Sequence, residues 1–502
     1  MDKYYLTTPI YYVNAQPHVG HVYTTVAADV LARWERFLGK EVFFLTGADE
    51  HGSKVAAAAD QAGISPQELV DQTVQRYLDL WKLLEIKFDR FIRTTEAEHQ
   101  KIIQSIFSAL QRNGDIYPGV YEGHYCVPCE RYLAPAEGID CADCGRPTEK
   151  LSEETYFFRL SRYQERLKEH FVKNPEFIQP ERIRDEVTNM LSDPLPDLSL
   201  TRRCRWGVPL PEGVAGSGLT IYVWFDALLN YLSGVNYNPL SPAETDQGKL
   251  FQRFWPPDVQ LVGKDIIRFH HIIWPAILMA LNLPLPKKVF GHGWWLSGNE
   301  KMSKSKGNVV EPFDFCSRYG SEALRYFLLA EVPFGMDGNF TEDAFRKRYN
   351  SDLANDLGNL IHRFNHLIRT NFGGKVPAPQ DGGILARKTT GLLPALTQKM
   401  ENLDFFGFLE TLREVVSTGN HYLDEEAPWR KGPNSGPALY NLTETSRILS
   451  IYLEPVLPRT AVLIRQQLGL MDLPTGKEAL TWGLTKPGTI VTKAPPLFPR
   501  IK

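Results

Sequence analysis

The chain has 502 residues, 56 lysines and arginines against 59 acidic residues, and a net charge of −3 with 43% hydrophobic residues. Single cores stop growing at about 250–300 residues, so this length predicts roughly two to four domains. Near-neutral charge excludes indiscriminate polyanion binding, leaving only nucleic acid gripped by local patches, and no uninterrupted apolar stretch is long enough to span a membrane.

Met1-Asp2-Lys3 leads directly into Tyr4-Tyr5-Leu6-Thr7-Thr8, which reads as a strand, without the basic and apolar regions of a secretory signal, so a cytosolic chain is expected. Val22, Val26 and Val30 then recur at helical spacing until Gly39. His18 and His21 therefore start a helix, where backbone N–H groups and the helix dipole favour phosphate, and Gly20 lets a nucleotide approach the backbone. Glu41-Val42-Phe43-Phe44-Leu45-Thr46 predicts a second strand, with helical pattern following through Trp81 and Leu110.

A cysteine-bearing segment from about 116 to 235 interrupts this alternation. Cys126-x2-Cys129 and Cys141-x2-Cys144, eleven residues apart, have the spacing of a tetrahedral four-thiolate zinc site. Four protein ligands close the shell, so the expected zinc is structural; disulfides suit a reducing compartment poorly. Cys204 and Cys316 have no partner in the pattern and are expected to be core or surface thiols.

Strand signals resume at Val259–Val262 and Val289-Phe290, which predicts an α/β chain whose parallel sheet is split by the insertion, with ligands at the C-terminal strand ends. Lys301, Lys304 and Lys306 then fall within six residues, a flexible cationic loop suited to the migrating charge of a triphosphate. From about Asp352, Leu353, Leu357, Leu360, Ile361, Phe364 and Leu367 keep one helical face, and similar runs near Leu409–Val416 and Leu442–Leu453 predict a helix bundle. Pro487, Pro495, Pro496 and Pro499 predict an extended end.

His18-Val19-Gly20-His21 with Lys301-Met302-Ser303-Lys304-Ser305 resembles the paired signatures of class I aminoacyl-tRNA synthetases. Tyr4–Asn14, Phe44–Gly52, Tyr222–Ala227, Gly263-Lys264-Asp265 with Phe269-His270 and Trp274, and the two cysteine pairs together resemble the methionyl-tRNA synthetase family over essentially the whole chain. The resemblance implies a Rossmann-type catalytic domain over 1–115 and 236–300, a zinc-binding insertion over 116–235, a lysine-loop and linking segment over 301–350, an anticodon-binding bundle over 351–475 and an extended segment over 476–502. It further implies methionine activation by ATP with Mg²⁺, transfer to the 3′-terminal ribose of tRNA(Met), and a monomer.

Position by position, the family pattern implies His18, His21, Lys301 and Lys304 in catalysis, and Gly20, Arg202, Gly263, Asp265 and Lys304 at ATP. Asp49 is implied for the substrate ammonium, with Ile10, Tyr12, Trp224, Ala227, Tyr231, Phe269, His270 and Trp274 around the methionine side chain. Asn359, Arg363, Pro428 and Trp429 match anticodon-binding positions. Leu228 stands where some relatives have proline, and Thr201-Arg202-Arg203-Cys204-Arg205 departs from the usual pattern around its retained arginine. Another class I synthetase, or a zinc-ribbon RNA-binding protein without ATP chemistry, would share parts of the pattern.

Overall fold

Apolar strands buried on both faces build a parallel sheet, and Val42-Phe43-Phe44-Leu45 is such a run. The computed structural model describes residues 2–501 except 128–130, 134–138, 142–144, 217, 240–245, 299, 302–309 and 380. The chain forms two compact units, one of Met1–Pro17 with Glu41–His292, the other of His18–Lys40 with Gly293–Lys502.

In the first unit, β1 (Lys3–Tyr12), β2 (Glu41–Asp49), β3 (Arg90–Arg93), β6 (Ile178–Gln179), β7 (Val259–Gly263) and β8 (Val289–His292) form one sheet in the order β3-β2-β1-β7-β8-β6, every pair parallel. Strand order runs outward from the β1–β7 contact through β2 and β3 on one side and through β8 on the other, with β6 added at that edge, so the carboxyl ends flanking the contact are the switch point at which such sheets bind ligands. The register of β1 against β2 shifts between Thr7 and Ile10. Gly47 sits opposite that shift: a Cβ there would collide with the Ile92 carbonyl oxygen and come within 2.9 Å of Ile10 Cγ2, so the strands approach only because the side chain is absent.

The segment between the sheet halves starts with β4 (Ile116–Cys126), paired antiparallel to β5 (Glu149–Phe158) from Ile116↔Phe158 to Tyr125↔Glu149. The same segment supplies β6, so the insertion also completes an edge of the main sheet. The helix α2 (Ala97–Arg112) buries Ile102, Ile103, Ile106, Phe107 and Leu110 in the core of this unit.

The helix after β1, α1 (Val19–Phe37), clusters with residues 293–502. Its Asp29 is fully buried and takes Arg325 Nη2 from α5 (Ser321–Ala330) at 2.7 Å and Arg33 Nε at 2.7 Å. Arg325 also donates to the carbonyls of Val456 at 2.9 Å and Pro455 at 2.8 Å. Trp34 meets Phe408 of α7 (Phe405–Glu426) edge-on at 5.2 Å between ring centres. Residues Tyr349–Gly358 form a π-helix running into α6 (Asn359–Asn371), and of the predicted stripe Leu353, Leu357, Leu360, Ile361 and Phe364 are buried while Leu367 is half-buried.

Glu444 on α8 (Gly436–Leu453) is buried and accepts the backbone N–H groups of Gly483 at 2.7 Å and Leu484 at 3.0 Å, while Arg447 donates to the Thr481 carbonyl at 2.7 Å. Those bonds hold the proline-rich end extended, and residues 481–501 carry no helix or strand. No described helix is long and apolar enough to cross a membrane.

Removing one member of a buried ion pair strands the other charge without water, which costs about 3–5 kcal/mol. Arg325→Ala is therefore expected to destabilise the unfolding transition of the second unit by about that amount. Chemical denaturation followed by tryptophan fluorescence measures it, and a loss below about 1 kcal/mol would show that the pair is not what holds α1.

Candidate active site

The first unit gathers the aromatic residues singled out from the sequence around α3 (Val223–Leu228) and a single π-turn, Phe269–Ile273, that leads into α4 (Trp274–Ala280). π-turns re-aim side chains that a regular helix would space at 3.6 residues, and this one presents Phe269 and His270 together. The Phe269 ring stacks on Trp224 with centres 3.7 Å apart and planes 10° from parallel. Tyr231 lies 2.8 Å from His270 Nε2 through its hydroxyl and 5.5 Å from the Trp274 ring. Ala227, Tyr231, His270 and Trp274 are buried, whereas Ile10, Tyr12, Trp224 and Phe269 are half-buried.

Burial pushes His270 down to about 4, so the ring is neutral at physiological pH. Its Nδ1 faces the Ile266 carbonyl at 3.0 Å and must carry the hydrogen, leaving Nε2 to accept the Tyr231 hydroxyl. Trp274 Nε1 donates to Gln260 Oε1 at 3.0 Å, and Gln260 Nε2 donates to Thr7 Oγ1 at 3.3 Å. The polar groups of Tyr231, His270 and Trp274 are thereby turned toward partners, so this part of the wall presents an apolar, uncharged surface.

Asp49 ends β2, directly beside Tyr12 in register. The loop after it is clamped at three points. Glu50, fully buried, receives Arg93 Nε at 2.5 Å and the Thr95 hydroxyl. The Glu50 carbonyl accepts Trp206 Nε1 at 2.6 Å, and the Gly52 N–H donates to the Trp206 carbonyl at 3.0 Å. His51 Nδ1 lies 2.8 Å from Asp226 on α3, and Asp226 lies 2.8 Å from His99 Nε2 on α2. Burial alone would push Asp226 up; the imidazoles, His51 foremost, hold it down at about 2, so it is an ionised carboxylate with no exposure. His99, Asp226 and the clamping role of His51 were not assigned from the sequence. The partners are 127 and 175 residues apart, and the only signal was an aspartate inside the apolar run Val223-Trp224-Phe225-Asp226-Ala227-Leu228.

Gly263 and Asp265 lie at the carboxyl end of β7, and a Cβ on Gly263 would come within 2.5 Å of Asp265 Oδ1. Arg202, on a short strand of the insertion, places its guanidinium 3.3 Å from the centre of the Tyr125 ring. Its Nη1 is buried without a hydrogen-bond partner among the described residues, and burial lowers its pKa. Cys204 is half-buried and donates to the Trp206 carbonyl at 3.4 Å; Cys316 is buried, which pushes its thiol up to about 12.

In the second unit, His18 is the N-cap of α1 and the two histidines cap the helix reciprocally. His18 Nδ1 accepts the Gly20 N–H at 3.0 Å, His21 Nδ1 accepts the His18 N–H at 3.2 Å, and the rings stack 3.8 Å apart. Both Nδ1 atoms being acceptors, each neutral ring carries its hydrogen on Nε2, a donor suited to a phosphate oxygen. Gly20 serves this cap too, since a Cβ would stand 2.9 Å from the His18 ring.

Lys301 lies in the short strand Glu300–Lys301, and Lys304 falls outside the described residues. Cys126 and Cys141 are buried in one small cluster with Leu133, while Cys129 and Cys144 fall outside the described residues. Asn359 and Arg363 lie one turn apart on α6. Arg363 sits 5.4 Å from the centre of the Trp429 ring and 2.7 Å from Asp424; Trp429 is 46% exposed, whereas Pro428 is buried.

The family described as tRNA synthetases class I (M) matches residues 4–365. A methionine–tRNA ligase of Caldanaerobacter subterraneus subsp. tengcongensis is 47% identical, over 99% of this chain and 79% of its own length. The Bacillus subtilis methionine–tRNA ligase is 43% identical, over 100% of this chain and 78% of its own. The structure of Mycobacterium tuberculosis methionyl-tRNA synthetase in complex with methionyl-adenylate superposes with a TM-score of 0.93 at 38% identity, covering 100% of both chains.

His270 and its neighbour His271 are both pushed by burial from 6.5 to about 4. Between those values the unfolded chain binds protons that the folded one does not, so stability falls as pH drops from about 6.5 to about 4. Asp226 is likewise lowered and has the same sign in a lower window, its contribution being lost only as pH drops from 3.8 to about 2. Denaturation midpoints at pH 7 and pH 5 should therefore lie closer together in His270→Gln than in the parent, and equal separations would show that His270 is not buried neutral.

Proposed function

The chain belongs to the methionyl-tRNA synthetases of class I and is a methionine–tRNA ligase, and we propose the following division of roles among its residues. The Asp49 carboxylate takes the substrate ammonium through a charge-assisted hydrogen bond. Ile10, Tyr12, Trp224, Ala227, Tyr231, Phe269, His270 and Trp274 receive the side chain. A thioether has almost no hydrogen-bonding capacity, so an uncharged aromatic wall is its complement, each sulfur–ring contact adding roughly 0.3–1.5 kcal/mol. The neutral His270, with both ring nitrogens engaged, is the observation that carries this reading: a charged group there would demand a polar ligand.

In the first step a methionine carboxylate oxygen attacks the α-phosphorus of ATP and pyrophosphate leaves. The Nε2–H donors of His18 and His21 and the ammonium groups of Lys301 and Lys304 take up charge on the phosphate oxygens. Gly20 and Gly263 admit the nucleotide, Asp265 accepts its ribose hydroxyls, and Arg202 adds a cation at the ATP. Mg²⁺ bound with ATP supplies further neutralisation of the phosphates. None of these residues acts as a nucleophile, so acceleration comes from positioning and electrostatics. In the second step the terminal ribose 2′-hydroxyl of tRNA(Met) attacks the adenylate carbonyl and AMP leaves. Trp429 stacks on an anticodon base, worth roughly 1–3 kcal/mol, while Asn359 and Arg363 bond to base edges and Pro428 sets the turn.

Cys126, Cys129, Cys141 and Cys144 would hold one structural zinc. The described part of the site fits: Cys126 and Cys141 are buried together, and the Gly145 N–H, in a left-handed turn, donates to the Cys141 carbonyl at 2.7 Å. Such tight turns let two thiolates of one Cys-x2-Cys pair reach a single ion. Bound there, the metal would supply cross-linking to the cysteine-bearing part of the insertion, where Leu133 is the one other member of the small cluster formed by Cys126 and Cys141 among the described residues. Thiolate ligation also accords with a cytosolic enzyme.

Amino-acid-dependent ATP–pyrophosphate exchange tests the activity, with methionine expected to support it and valine or cysteine not. Lys304→Ala should abolish most exchange, whereas Trp429→Ala should retain exchange and lose tRNA charging. Wild-type exchange in the first variant, or equal loss of both activities in the second, would reassign those residues. One zinc per chain is expected by elemental analysis, with Cys126→Ser losing it; full metal content in that variant would rule out the four-cysteine site.

A further inference from the structure

His51 is held as a proton acceptor would be. An ionised carboxylate can only accept, so Asp226 fixes hydrogen on His51 Nδ1 and, in the neutral ring, leaves the lone pair on Nε2. No described residue bonds to that Nε2, and His51 lines a cleft shared with Arg202, Tyr125, Cys204, Trp206 and Tyr222. The cleft has about 20 Å³ at its centre, room for one water-sized group. Arg202 Nη1, buried and without a partner among the described residues, adds a donor to the same walls. One acceptor and one donor around such a space are the complement of a hydroxyl, which gives one hydrogen bond and takes another.

Asp49 is two residues before His51, a separation of at most about 7 Å along the chain. In an amino acid the ammonium nitrogen and the carboxyl carbon are attached to the same atom, so a substrate held by Asp49 would carry its reacting carbonyl at the end of β2 from which the chain leads to His51. Asp226 also grips His99, whose Nδ1 meets the Ser233 hydroxyl at 2.7 Å, so the carboxylate that orients His51 is itself fixed.

We propose that His51 is the general base of the transfer step and that its cleft receives the acceptor hydroxyl of the terminal tRNA ribose. This rests on the ammonium role of Asp49 proposed above. The hydroxyl oxygen bonds to the adenylate carbonyl carbon while its proton passes to His51 Nε2. The bond from that carbon to the phosphate oxygen then breaks, AMP leaves with the electron pair, and the imidazolium returns its proton to solvent. Asp226 and His99 are positioning residues in this scheme.

The test separates the two half-reactions. His51→Asn keeps a donor toward Asp226 but cannot take a proton. With methionyl-adenylate preformed on the enzyme, single-turnover transfer to tRNA should fall by about 10²–10⁴-fold, a loss at least about tenfold greater than any fall in methionine-dependent exchange. Added imidazole should restore part of the transfer. A transfer rate close to that of the parent, or an equal fall in exchange, overturns the proposal. Should the variant fail to fold, the parent chain decides: transfer, but not exchange, must slow in D₂O, and an unchanged transfer rate overturns the proposal as well. If the parent shows no methionine-dependent exchange, it is the ligand assignment that fails. If exchange is normal and only the transfer predictions fail, the fault lies with His51.

Discussion

A carboxylate with no exposure to water, Asp226, joins three separate elements of the first unit: the loop after β2, α2 and α3. Desolvating such a group costs several kcal/mol, and the cost is recovered only where its lone pairs are filled. Here both oxygens are, each by an imidazole. The consequence reaches beyond stability, because β2 carries Asp49 and α3 carries Trp224 and Ala227. The group that would bind a substrate's charge and the surface that would bind its side chain are thus registered against each other by one buried anion. Glu50 repeats the device one residue earlier, tying the same loop to Arg93 at the end of β3.

The second unit is assembled in the same manner. Asp29 binds α1 to α5 through Arg325, and Glu444 with Arg447 fixes the proline-rich end. Asp352 in the π-helix receives the Tyr326 hydroxyl at 3.0 Å and lies 3.3 Å from both Arg348 and Arg413. Hydrophobic burial favours many near-equivalent packings, whereas a buried ionic group is satisfied in one, so these carboxylates specify which helix meets which. A chain of this length, with sheet partners more than two hundred residues apart such as Leu6 and Val259, benefits from contacts of that kind.

Period and turn chemistry made β1, β2, β7, β8, the start of α1 and the late helices legible in the sequence. β3 and β6 were not legible: Arg90-Phe91-Ile92-Arg93 is four residues flanked by charge, and Ile178-Gln179 is two residues that only the neighbouring β8 makes a strand. The two π-segments escape any search at 3.6 residues per turn, although one of them aims Phe269 and His270. Trp429 read alone is a core residue, yet it is 46% exposed, because Ala427 in a left-handed conformation ends α7 and turns the chain outward. The aromatic residues around α3 and the paired histidines were visible as motifs, but the hydrogen bonds that orient them come from residues such as Gln260, Asp226 and Ile266, which no local pattern marks.

The histidine cap on α1 shows why residue type matters there more than charge. Serine or aspartate would cap the helix as well, by accepting the same backbone N–H groups. Imidazole does so through Nδ1 and retains an N–H on the far side of the ring, so one residue can both satisfy the helix end and donate outward. Two such rings stacked at 3.8 Å would repel if both were cations, which favours neutral donors at this position. Neutral, preorganised donors joined to the positive helix end would suit a phosphate without holding it so tightly that a reaction there gained nothing. Gly20 is what permits the arrangement, since the His18 ring occupies the space that any other side chain would need.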